Sequence, residues 1–65
     1  MFGVHETSRR NYAFEVRFNG GREYCRCKSY RDAAKIAESL NLSNHPEETI
    51  LKLREEFGYP DGYAV

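Results

Sequence analysis

Net charge is the first thing this chain lacks. Ten Lys and Arg balance ten Asp and Glu over 65 residues, which by itself argues against a partner held only by long-range attraction, nucleic acid included. No apolar stretch approaches the roughly 20 residues that a helix needs to cross a bilayer. The leading MFGVHETSRR has no apolar run of the signal-peptide kind. The expected location is therefore the cytoplasm, with no membrane partner. Repeats, low-complexity tracts and long linkers are also missing, so residues 1–65 are expected to form one small domain near the lower size limit for a self-sufficient core. A second copy of the chain in a homodimer, or another protein, would supply extra burial.

Cysteine is scarce and placed against a disulfide. Cys25 and Cys27 lie two apart in an expected strand, with Cα atoms roughly 6.5 to 7 Å apart and side chains running parallel. They read as free, buried thiols of a reducing compartment. Catalysis is not expected. The only nucleophile and base candidates are those cysteines with His5 or His45, and an apolar setting raises a thiol's pKa. A structural metal is not expected either, because Cys25-Arg26-Cys27 sits mid-strand and the histidines have no paired spacing. No glycine-rich phosphate loop is present, since Asn19-Gly20-Gly21 joins two strands rather than a strand and a helix. No cofactor is implied.

What the chain does have is an alternating segment. Tyr12, Phe14, Val16 and Phe18 alternate with Ala13, Glu15 and Arg17, the period of a half-buried strand. Asn-Gly then favours a tight hairpin turn. A loop of two residues, Asn19-Gly20, or of four, Asn19 to Arg22, places Phe14 and Val16 on one face with Cys25 and Cys27. A three-residue loop would bury Arg26 and Lys28 instead, at a cost of several kcal/mol in order of magnitude. The even loops are expected, and the outer face then carries Glu15, Arg17, Tyr24, Arg26 and Lys28, with Glu15 able to pair with Arg26 across the strands. Phe2 and Val4 lie in a segment too short to establish a third strand, which stays open.

Ser29-Tyr30-Arg31-Asp32 fits a capping box, Ser29 receiving an early helical N–H and Asp32 reaching back. Ala33, Ile36, Ala37 and Leu40 follow as one helical stripe, with Asn41 as terminator. A second helix is expected from Asn44 or His45, with Pro46 in its first turn and Glu47 and Glu48 at the positive end of its dipole. Its buried stripe is expected to be Ile50, Leu53 and Phe57, widened by Leu51. Gly58 reads as its C-cap, Pro60 blocks continuation, and Tyr59-Pro60-Asp61-Gly62 reads as a turn. The fold class is α+β: a hairpin, two- or three-stranded, packed on two C-terminal helices in the order β-β-α-α.

Charge is distributed unevenly. Residues 1–31 hold seven Lys and Arg against three Asp and Glu, whereas residues 32–65 hold three against seven. Basic side chains with an aromatic on a sheet suit nucleic acid, so Arg17, Tyr24, Arg26 and Lys28 are the expected contacts. Arg9, Arg10 and Arg22 would add backbone contacts, the first two as a flexible arm. The plain alternative is a solvated sheet face kept charged against edge aggregation. Over residues 11–40, a hairpin with a basic outer face followed by K-S-Y-R-D-A-A-K-I-A resembles the AP2-like and integrase arm-binding DNA-binding modules. That resemblance implies a three-stranded sheet packed on one helix and laid in the major groove, with Arg17, Arg26 and Lys28 as the matching positions. The rival reading is a protein-interaction module, an accessory factor or phage-type inhibitor. It would use Glu47, Glu48, Glu55 and Glu56 with Tyr59 and Tyr63, because acidic side chains beside tyrosines suit a protein contact.

Overall fold

Asn19 and Gly20 adopt φ values of 52° and 74°, the left-handed pair that a type I′ hairpin turn demands, and the Gly21 N–H closes it on the Phe18 carbonyl at 2.9 Å. A computed structural model describes residues 1–57 and contains β1 (Phe2–Glu6), β2 (Phe14–Phe18), β3 (Glu23–Cys27), α1 (Tyr30–Leu42) and α2 (Pro46–Phe57). The strands form one antiparallel sheet in the order β1-β2-β3. The fold is α+β, and the strand left open at the N-terminus is present. Tyr59, Tyr63 and the expected cap and turn at 58–62 lie outside the described residues, as does the Phe57 side chain.

Phe14 pairs with Cys27 and Val16 with Cys25, so these four share the face that α1 covers. The even-loop register is therefore correct for the core half of the hairpin. Nearer the turn the expected even loop is not formed. Arg17 stands opposite Glu23 and the Phe18 N–H reaches the Arg22 carbonyl at 3.0 Å, so the loop is the three residues Asn19-Gly20-Gly21. An irregularity between Val16 and Arg17 restores the core register. One extra residue on β3 breaks the alternation. Tyr24, expected on the outer face, is instead buried at 7% exposure, with its ring edge-on to Phe2 at 4.8 Å between centroids. The local signal is Tyr24-Cys25, two consecutive apolar residues where strict alternation allows one. β2 also starts later than expected, because Tyr12 sits at φ 54°, outside any strand.

Ser29 caps α1 by accepting the Asp32 N–H on its hydroxyl oxygen at 3.2 Å. Ala33, Ile36, Ala37 and Leu40 are buried against the sheet as their spacing predicts. The His45 carbonyl accepts from the Glu48 and Thr49 N–H groups, which starts α2 at Pro46. Ile50 is buried and Leu53 packs at the margin of the core. Leu51, expected to widen that stripe, is 60% exposed. It lies about 100° around the helix from Ile50, which carries it off the packed face.

Asn41 does not end α1, which runs to Leu42 with Ser43 as its cap. Its amide instead accepts the Phe2 N–H on Oδ1 at 2.7 Å and donates from Nδ2 to the Phe2 carbonyl at 3.0 Å. These are the two bonds a neighbouring strand would make with the β1 edge. On the opposite edge, Arg54 of α2 donates from Nη2 to the Tyr24 carbonyl at 2.7 Å. Each helix thus closes part of one sheet edge. Asn41→Ala is expected to destabilise the domain by about 1–3 kcal/mol through the loss of two hydrogen bonds. A urea midpoint unchanged from that of the parent chain would contradict the role.

Candidate nucleic-acid interface

The outer sheet face is built around a carboxylate. Glu15 is the central residue of three, with His5 opposite it on β1 and Arg26 opposite it on β3. It has no solvent exposure. Arg17, two residues along the same strand, donates Nε to Glu15 Oε1 at 2.8 Å and brings Nη2 to 2.6 Å. Arg9 donates Nη1 to Oε2 from the β1–β2 connection. Arg26 Nε lies 3.7 Å from the same oxygen and 3.0 Å from Glu23 Oε2. The register slip that buries Tyr24 also puts Glu23 opposite Arg17, completing a cluster of three guanidiniums and two carboxylates.

Burial alone would raise the Glu15 pKa. Hydrogen bonds from Arg17 and Arg9, with the Arg17 charge, outweigh it and hold the group down at about 2. The carboxylate is therefore ionised across the physiological range. The guanidiniums around it remain partly in water, with side-chain exposures of 42% for Arg9 and 33% for both Arg17 and Arg26.

The expected site residues separate into three places. Arg9, Arg17 and Arg26 converge on the outer face, although Arg9 is tied to Glu15 rather than free as an arm. The β1–β2 connection brings it back, with the Thr7 N–H on the Ala13 carbonyl at 2.7 Å and the Arg9 N–H on the Thr7 hydroxyl at 3.3 Å. Arg10 is exposed on the same connection, and Lys28, also exposed, holds its ammonium 5.4 Å from the Tyr12 ring centroid. Arg22 reaches toward α2, pairing with Glu47 at 2.7 Å and lying over the Tyr24 ring at 4.8 Å. Tyr24 is in the core. Sequence reading foresaw the Glu15–Arg26 pairing but missed that Glu15 is enclosed, because nothing local announces that three arginines meet over one carboxylate.

Two further features of that face matter. Gly3 stands opposite Arg17, and a Cβ placed there would have no atom within 4 Å. The hairpin turn leans over the face, since the His5 imidazole comes within 3.8 Å of a Cβ built on Gly20, and Arg17 Nη1 reaches the Gly21 carbonyl at 3.4 Å.

Elsewhere, Glu47, Glu48, Glu55 and Glu56 are exposed on α2, and the first three neighbour the exposed Leu51 at three- or four-residue spacing. Cys25 and Cys27 are free and buried, and the hydrogen bond to Cys27 together with burial pushes the Cys25 thiol far above its ordinary range. Among the described residues no three His, Cys, Asp or Glu are grouped to hold a metal ion, and no helix is long and apolar enough to cross a membrane. No protein-family model, curated protein or solved structure matches the chain.

Proposed function

We propose that the protein is a small, non-catalytic nucleic-acid-binding module that grips the phosphate backbone with the outer face of its sheet. One observation carries this reading: guanidiniums from three separate segments, Arg9, Arg17 and Arg26, meet on the one sheet face that neither helix covers, and each keeps a third or more of its side chain in water. Arg10 and Lys28 flank them. With Tyr24 in the core the base-stacking role falls away, which favours phosphate contacts over base readout and hence modest sequence preference. The likeness of residues 11–40 to sheet-based DNA-binding modules points the same way.

Fluorescence anisotropy of a labelled random DNA duplex tests it. Binding is expected to be micromolar or weaker at about 50 mM salt and to weaken roughly tenfold or more by 200 mM, as for a protein with three or four phosphate contacts. Absence of binding at 50 mM salt with about 100 µM protein would sink the reading. Gly3→Lys supplies a gain-of-function check, since it adds a cation opposite Arg17 where there is room for one. Affinity should rise severalfold at low salt, by the attraction of about one more phosphate, with no fall in Tm.

A second reading rests on Leu51. A 60% exposed leucine with Glu47, Glu48 and Glu55 around it on α2 suits a protein contact with a basic partner. Leu51→Ala would then abolish that capture and leave duplex binding untouched.

A further inference from the structure

Resting on the phosphate-binding reading above, we infer that Glu15 is a positioning residue: it fixes Arg9, Arg17 and Arg26 as one preset array for phosphates of a nucleic-acid backbone, and so promotes the binding of an anion although it is an anion itself. A sheet face that only has to stay wet is served by exposed Lys, Thr or Glu. It has no need of a carboxylate removed completely from water, whose desolvation must be recovered from its partners. Here the recovery comes from residues of three segments at once. Arg17 places Nε and Nη2 on the Glu15 carboxylate and Nη1 toward the Gly21 carbonyl, so its plane is set from both sides. Arg9 is drawn onto β2 from a connecting segment by the same carboxylate. Arg26 is held between Glu15 and Glu23.

A guanidinium carries five N–H donors in a rigid fork, so anchoring part of the fork to a carboxylate leaves the rest of the plane aimed. Arginine side chains held before the ligand arrives lose less rotamer freedom when it does. Their remaining exposure faces outward, because the side of the cluster toward the sheet is filled by Glu15.

The inference separates from simple charge attraction by sign. Glu15→Gln removes a negative charge from the centre of the face. If the face acts as diffuse charge, the variant binds duplex DNA roughly threefold or more tightly than the parent, since one nearby charge is worth about that in water. If Glu15 positions the arginines, the variant binds at least about threefold more weakly, and the slope of log Kd against log salt falls by about one phosphate equivalent. Glu38→Gln, on the exposed side of α1, adds the same charge away from the cluster and should tighten binding slightly. Circular dichroism and a thermal melt establish that each variant is folded. Should Glu15→Gln not fold, Glu23→Gln decides, because it frees Arg26 on one side only and its side chain is already 19% exposed. It too should weaken binding against the sense of its charge. Equal or tighter binding by the folded variants overturns the inference and leaves the phosphate reading standing. A parent chain that fails to bind at 50 mM salt removes both.

Discussion

Ile36→Ala is expected to lower the unfolding free energy by about 2–5 kcal/mol. Ile36 has no exposure and lies mid-way along the α1 stripe that seals the sheet, so no solvent-facing path lets its neighbours collapse into the space left behind. A domain of this size has on the order of 3–10 kcal/mol to lose. Tm should therefore fall by more than about 10 °C. Leu51→Ala, the same kind of truncation on α2, should change stability by no more than about 0.5 kcal/mol because Leu51 stands in water. Urea denaturation of the pair is decisive: if Leu51→Ala proved the more damaging, the packed face of α2 would be wrongly assigned.

Acid should weaken the fold through one residue. Glu15 titrates at about 2 in the folded protein against an ordinary value of 4.5. A depressed folded pKa means that the ionised group stabilises the native state fully above about pH 4.5, and that this stabilisation drains away as pH falls toward 2. The whole contribution is about 3 kcal/mol, of which about 2 is gone by pH 3. Glu15→Gln has no proton to bind there. It should be less stable than the parent at pH 6, because three guanidiniums lose their central anion, and the gap should narrow by about 2 kcal/mol at pH 3. Urea midpoints for both proteins at the two pH values measure this directly. A gap that stays constant would mean that the carboxylate is not held ionised by its arginines.

Much of the fold was legible because local rules and global packing agree. The strand over Phe14–Phe18, the Asn19-Gly20 turn, the Ser29 cap and the Ala33-Ile36-Ala37-Leu40 stripe stand as the sequence implies. By contrast, α2 starts at Pro46 rather than at Asn44 or His45, and Phe18 at the strand end is 44% exposed. β1 was not legible, because its pairing partner β2 lies beyond a connecting loop and five residues show too little periodicity. Tyr24 was misplaced for a related reason. Parity arguments assume an unbroken ladder, whereas the domain gained more by burying an aromatic ring against Phe2 than by keeping the register regular. Leu51 and Asn41 show the limit of helical patterns, which say that a residue is apolar or polar but not what stands opposite it.

The candidate site divides the same way. That Arg17 and Arg26 share the solvent side of a hairpin with Glu15 follows from the sequence, since turning either inward would bury a charge without a partner. What only the tertiary structure decided is that Arg9 returns to that face, that Glu23 joins it through the slipped register, that Arg22 leaves it for Glu47, and that Glu15 is enclosed by its neighbours. Residue order encodes which side chains can lie on a strand's outer face. Only the assembled sheet, with its connection folded back and its edges closed by Asn41 and Arg54, sets how near their charges come, and Coulombic and desolvation energies both depend on that distance.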